Sequence, residues 1–265
     1  TGSANYLIDF DDVVLNNFIA PNTDPTVDTN TGLTLNEGTT AGITTSELSS
    51  SDSEEGASSL TFTVQASGTV QNGVLFLDGD GDNVWDGGAP DTDLSGSGST
   101  FTQQDIADGD ILYEHDGSET TADDFDFIVD DGAGGSTSNA TFSITINAVN
   151  DIPAFANLDG NPTFVEDATA VVLDANVTIA DPELDAADDY NGASLTIERT
   201  GAGVAEDDFG FVDGGGITLG TNELIKNAQS IAGFNVSSGT LTVLFTNANG
   251  ETPIATDVDL VLQQI

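Results

Sequence analysis

Apolar and β-branched residues alternate with polar ones in run after run along the chain: LTFTV (60–64), GVLFLD (73–78), DFDFIV (124–129), TFSITINAV (141–149), SLTIE (194–198) and LTVLFT (241–246). A strand turns successive side chains to opposite faces, so each run offers one face to a core. Between 141 and 147, Phe142, Ile144 and Ile146 share the core face while Ser143, Thr145 and Asn147 face water. Clusters of Gly, Asn, Asp and Ser separate the runs. Many short strands joined by turns predict antiparallel β-sandwiches rather than a parallel α/β sheet. Helix is brief. TDVDLVLQQI (256–265) spaces Val258, Val261, Leu262 and Ile265 as one helical face, with Thr256 or Asp257 as its cap.

What such strands can bind is limited by charge. The 265 residues include 46 acidic side chains and two basic ones, Arg199 and Lys226, for a net charge of -44. Internal ion pairs cannot neutralise this, so counter-ions come from solution. Nucleic acid and anionic membrane surfaces are excluded as partners, because both are held by Lys and Arg. No run approaches the roughly 20 apolar residues of a membrane span, so no membrane insertion is expected. An apolar fraction of 37% and fourteen Phe, several of them in the alternating runs, mark a folded chain rather than a disordered one. The absence of Cys removes disulfides and thiolate metal sites, leaving packing and hard-cation binding as sources of stability. An acidic halophile surface would also account for the charge, with potassium salt in place of calcium. The sequence begins at Thr1 with no signal peptide, which reads as a processed terminus or the edge of a fragment.

The densest charge lies in LFLDGDGDNVWDGGAPDTD (75–93). Asp78, Asp80, Asp82 and Asp86 fall at positions 1, 3, 5 and 9 of a loop, the oxygen-ligand spacing of a helix–loop–helix calcium site. Asn83 stands where that loop wants Gly, and Asn tolerates the left-handed backbone. Position 7 offers the carbonyl of Val84. Position 12 is Ala89 instead of a bidentate Glu, so Asp91, Asp93 or water would close the site. A weaker candidate, Asp116, Glu119, Asp123 and Asp124, follows the single His. Trp85 either stacks on a bound sugar or caps the calcium loop.

Catalysis finds little support. HDGSE (115–119) puts His115 beside Asp and Ser, but a triad depends on spatial geometry and an oxyanion hole rather than adjacency. One His and no Cys leave zinc without soft ligands. Among 46 carboxylates some pair always falls at a glycosidase spacing, which therefore carries no information. Lys226, in ELIKNAQS, allows an internal isopeptide bond or an ordinary hairpin turn.

The chain carries an imperfect repeat. Residues 33–64 and 162–198 share the order strand with Glu, second strand, Asp-x-Glu, spacer and Ser-Leu-Thr strand, which pairs Glu37, Asp52 and Glu54 with Glu166, Asp181 and Glu183. NAVNDIP (147–153) lies between the copies. The expected organisation is an arm at 1–28, a first sandwich at 29–150 and a second at 151–265, the last either complete or short of its final strands.

FTQQDIADGDILYEHDGSETTADDFDFIVDDGAGG (101–135) resembles the repeat of chondroitin sulphate proteoglycans and the cadherin-like repeats of giant bacterial surface adhesins. VNDIP (149–153) is similar to the Asn-Asp-x-Pro junction of tandem cadherin-like domains, and residues 157–265 resemble a further module of those adhesins. The resemblance implies tandem all-β, antiparallel cadherin-like or Ig-like sandwiches, an extracellular place on the bacterial cell surface, Ca2+ as cofactor and no catalysis. It also implies a calcium seam, for which this sequence offers Asn150, Asp151, Glu166, Asp181 and Glu183. The Gly-Gly-x-Gly-x-Asp repeats of secreted adhesin tails are absent.

ANYLIDFDDVVLNNFIA (4–20) is an extra strand beyond the first repeat, with Tyr6, Ile8 and Phe10 on one face. Added to an incomplete sheet of another copy, it would join subunits head to tail into a filament. The alternative is a segment of a longer adhesin, flanked by neighbouring domains and binding a glycan or other ligand.

Overall fold

The computed structural model describes residues 21–163, 165 and 169–265. They form two compact units that divide between Asn147 and Ala148. Tyr6, Ile8, Phe10 and Glu166 lie outside the described residues. Among the described residues no helix is long and apolar enough to cross a membrane.

The first unit runs β1 (Thr26–Asn30), β2 (Leu33–Asn36), β3 (Thr40–Gly42), β4 (Leu48–Ser51), β5 (Thr61–Val64), β6 (Gly73–Leu77), β7 (Thr92–Asp93), β8 (Thr100–Thr102), α1 (Gln103–Asp108), β9 (Ile111–His115), β10 (Ala122–Asp130) and β11 (Ala140–Asn147). One sheet has the order β2-β11-β10-β5-β8 and the other β3-β9-β6-β7, with β1 and β4 paired separately. This is the expected all-β sandwich with one difference: β2 pairs with β11 in parallel, Leu33 opposite Ile144 and Asn36 opposite Asn147. Strands joined by hairpins must run antiparallel, but β2 and β11 are separated by nearly the whole unit and carry no such restriction.

Alternation delivers the core. Phe62, Phe101, Phe125, Phe127 and Phe142 are all buried from one sheet, with Leu75, Ile111 and Tyr113 facing them from the other. Phe62 stacks on Phe101 with ring centroids 5.1 Å apart, and Phe125 meets Phe142 at 5.2 Å. Each such ring contributes about 1.5–3 kcal/mol by leaving water. The short α1 follows from a capping pair in the sequence: Thr102 Oγ1 accepts the Asp105 N–H, Asp105 accepts the Thr102 N–H, and Gly109 closes the helix at φ 88°.

The second unit runs β12 (Ala154–Ala156), β13 (Thr178–Ala180), α2 (Pro182–Ala187), β14 (Ser194–Glu198), β15 (Ile217–Leu219), β16 (Glu223–Lys226), β17 (Gln229–Ser237), β18 (Thr240–Phe245) and α3 (Ala255–Leu262). Its antiparallel sheet has the order β14-β18-β17-β16-β15. The facing layer is α3, whose Val258, Val261 and Leu262 pack with Leu224, Ile231, Leu241 and Val243 of the sheet, together with Val177 and Ile179 at β13, which pairs with β12. The apolar face read from the sequence is thus the buried one, Ile265 included. The cap differs from expectation. Ile254 is the N-cap, and Asp257 stands in the first turn, where its carboxylate accepts the Ile254 N–H at 3.1 Å.

Lys226 and Gln229 pair across a two-residue turn, Asn227 and Ala228, both at positive φ. The stretch is therefore a hairpin turn. The Lys226 ammonium lies 2.9 Å from Asp257 Oδ2 and 3.4 Å from Glu251 Oε1. The hydrogen bond to Asp257, opposed by burial, raises the Lys226 pKa. A protonated amine is no nucleophile, so this geometry is that of an ion pair rather than an amide precursor.

Candidate metal centre

At Asp78 the chain leaves β6, and the Asp78 carboxylate, buried at 6% exposure, gathers the loop around itself. Its Oδ1 accepts the N–H groups of Asp80 (3.2 Å) and Gly81 (2.7 Å), and its Oδ2 accepts that of Asn83 (2.9 Å). Asn83 holds φ 64°, the left-handed conformation its position requires. Asp91, equally buried, closes the other end by accepting the Gly79 N–H at 2.9 Å and the Asp86 N–H at 3.1 Å. Gly79 is needed there because a Cβ would run into the Pro90 carbonyl.

These constraints bring carboxylates together. Oxygens of Asp78, Asp80 and Asp91 lie within 4.8 Å of one another, as do those of Asp80, Asp82 and Asp86. Asp80 belongs to both groups. Removal from water, then repulsion by Asp82, raises the Asp80 pKa, and Asp86 and Asp78 add to it. Burial opposes the charge on Asp78 as well, but the N–H groups of Asn83, Gly81 and Asp80 outweigh it and hold that carboxyl below its usual range. One fixed anion thus sits at the base of a loop whose other anions repel. A hard, oxygen-seeking cation fits this donor set, which contains neither imidazole nor thiolate.

Asp93 is not drawn in. It is exposed on β7 and its carboxylate accepts the Ser95 N–H at 2.8 Å. Val84 is 51% exposed and donates its N–H to Asp82 Oδ1 at 2.9 Å. Trp85 is half-buried, its ring 5.5 Å from that of Phe76 and tilted by 50°. Phe76 alternates with the core residue Leu75 on β6, so Trp85 covers the other face of that sheet.

A second group is Asp52, Glu54 and Glu55, just after β4, with carboxylate oxygens again within 4.8 Å. Asp52 Oδ1 accepts the Glu54 N–H at 2.8 Å, whereas Asp52 Oδ2 and Glu55 Oε2 are shielded from solvent and have no hydrogen-bond donor. Desolvation, followed by the proximity of Asp52 and Asp131, raises the Glu55 pKa. Two shielded anionic oxygens without a donor are what a cation would satisfy. The sequence reading used Asp52 and Glu54 only as the paired acids of the repeat and passed over Glu55; the signal available was the run DSEE itself.

The third candidate is not assembled. On β10 neighbouring side chains take opposite faces, so Asp123 is buried and Asp124 exposed. Asp123 accepts the Asn72 N–H at 2.8 Å and the Tyr113 hydroxyl at 2.9 Å. Asp116 accepts the Ser118 N–H at 2.9 Å, and Glu119 lies beside Glu37 instead. His115 is buried, with Nδ1 accepting the N–H groups of Gly38 (3.0 Å) and Gly117 (3.2 Å). That fixes the proton of neutral His115 on Nε2, which points to Thr120 Oγ1 at 2.9 Å. The ring pins a turn.

In the second unit Asp181 caps α2, accepting the Leu184 N–H at 3.0 Å, with Pro182 in the first turn. The acid expected as a seam ligand therefore does local helix work. Glu183 Oε1 accepts the Asp151 N–H at 2.5 Å, and Asn150 donates to the Asp151 carbonyl at 2.7 Å. Glu183 Oε2 is shielded and has no donor. Among the described residues no three carboxylates all from this unit come within 4.8 Å.

A search of the curated proteins found no match to the chain. Residues 25–146 match the family model described as cadherin-like, a span covering the whole sandwich from β1 to the end of β11. Residues 25–146 of this chain are a cadherin-like module.

Proposed function

We propose that the chain is a non-enzymatic, calcium-stabilised building unit of an extracellular fibre on a bacterial surface, joined head to tail to copies of itself. A cadherin-like module suggests an extracellular adhesive or structural role, and such domains are typically calcium-binding and generally without enzymatic activity. The observation that carries the calcium reading is the Asp78 loop, where two buried carboxylates, Asp78 and Asp91, and two further ones, Asp82 and Asp86, converge on Asp80. Residues 1–147 contain no Lys or Arg, so no basic side chain of that unit offsets the charge. Asp78, Asp80 and Asp91 would hold one ion, with Asp82 and Asp86 at its outer side; Asp52, Glu54 and Glu55 would hold another. A bound calcium supplies two positive charges that turn mutual repulsion into a cross-link. The head-to-tail part rests on the alternating arm at residues 4–20 and on the resemblance to surface adhesins.

Ion counting after dialysis against micromolar calcium, combined with electron microscopy of the full chain, tests both parts. Retained calcium and elongated assemblies that disperse in chelator are expected. A chain that retains no calcium at low ionic strength, yet is stabilised by potassium chloride, carries an acidic halophile surface instead. A calcium-loaded chain that stays monomeric at high concentration is a segment of a longer adhesin.

A further inference from the structure

The second unit leaves an apolar strip open to water. Ile152 is 87% exposed, Leu158 65% and Phe155 47%, whereas Val84 is the one exposed large hydrophobic residue among the described part of the first unit. The strip is IPAFANL (152–158), seven residues without a charge, bracketed by Asp151 and Asp159 in a chain with 46 acids. At its centre lies β12, whose three residues are all exposed. Its partner β13 is anchored: the Ile179 N–H donates to Asp259 Oδ1 of α3 at 2.9 Å, and Val177 just before it is buried. The far edge of β12 has no strand partner among the described residues. Natural sheets blunt such edges with charge or a covering segment, and here Pro153 is the single blunting residue.

We propose that the free edge of β12 is the acceptor for residues 6–10 of a second copy of this chain, an inference that deepens the fibre reading and rests on it. An uncharged edge offers nothing to a basic or acidic ligand and selects an apolar strand. The arm is such a strand by sequence: Tyr6, Ile8 and Phe10 share one face and are interrupted by a single acid, Asp9, on the other. Its backbone would supply the N–H and C=O groups that the edge of β12 lacks. Phe155 then takes a place opposite Ile8 in an aromatic–aliphatic cross-strand pair, flanked by the arm's two aromatics. Docking of one copy's arm on the next copy's edge does not close on itself and so extends indefinitely.

The chain has no Cys, which makes disulfide trapping clean. The full chain carrying Ile8→Cys and Phe155→Cys, oxidised in calcium, is expected to give a ladder of trimers and longer products on a non-reducing gel, while each single variant stops at dimers. Phe155→Asp should remain folded, because the side chain is exposed, and should form no filaments; mixed with Ile8→Asp it should form dimers and nothing longer. A monomeric, internally cross-linked product would show that the arm docks on its own chain and overturns the proposal. If the unaltered chain forms filaments and Phe155→Asp does too, with no trapped ladder, the acceptor lies elsewhere while the fibre reading stands. If the unaltered chain is monomeric in calcium, the fibre reading fails and the acceptor with it.

Discussion

Removal of calcium should act on one unit and leave the other unmoved. Among the described residues, the three-carboxylate regions around Asp80 and around Glu55 lie wholly within the first unit, and the second unit forms none by itself. A ligand that binds only the folded state at about 100 times its Kd adds about 2.7 kcal/mol per site. The module matched at residues 25–146 has about 120 residues. With about 2.1 cal/mol/K per residue, its unfolding entropy is near 0.25 kcal/mol/K, so each ion shifts its Tm by about 10 °C. Two filled regions give about 20 °C. Differential scanning calorimetry in millimolar calcium and in chelator, at low ionic strength, should therefore show one transition moving by about 10–20 °C and the other staying in place. Equal shifts in both transitions would refute the assignment of the ions to these carboxylates; no shift in either would refute calcium binding.

Changing Asp80 and Asp82 together to Asn keeps size and loop hydrogen bonding nearly constant, and should lower the bound-calcium count by one ion as read by mass spectrometry of the native protein. The same change should raise the calcium-free Tm of the first unit, since Asp80 is desolvated and repelled by Asp82, Asp86 and Asp78. Tyr113→Phe removes a 2.9 Å hydrogen bond to the buried Asp123 and should destabilise the first unit by about 2 kcal/mol in urea titrations, with no change in ion count. Lys226→Met leaves the Asp257 carboxylate buried without its cation and should cost the second unit about 2 kcal/mol at pH 7. Asp174 is held below its ordinary value of 3.8 by the N–H groups of Asn176 and Gly160, against burial, with help from Asp159 and Val177. The unfolded chain therefore binds that proton more tightly, and the stability Asp174 lends is present above about pH 4 and lost as pH falls through its lower folded value; Asp174→Asn should flatten that acid limb of the second unit.

The strands could be read because alternation is a local property: each run from LTFTV to LTVLFT is a strand, and its apolar set is buried where one face meets a core. The parallel β2–β11 pair was not legible, because strand partners far apart in sequence leave no local trace. Among the acids, spacing within one loop anticipated that Asp78, Asp82 and Asp86 lie near Asp80, since the loop is short enough for sequence distance to limit spatial distance. It did not separate Asp91 from Asp93, which differ in whether the chain turns inward or enters β7. Asp181 shows the other difficulty. A carboxylate before Pro-Glu suits a helix cap as well as a metal, and the choice depends on whether the following residues turn.

The parallel register of β2 against β11 has a mechanical side. Leu33 lies opposite Ile144 and Asn36 opposite Asn147, so β2, which follows directly on the module's first strand, and the outgoing strand β11 run side by side in the same direction. Tension applied at the two ends pulls these strands past each other along their length. The rungs between them then bear the load together, as in a lap joint, instead of parting one after another as in a hairpin pulled open from its tips. A module built this way resists stretching at the place where its chain enters and leaves.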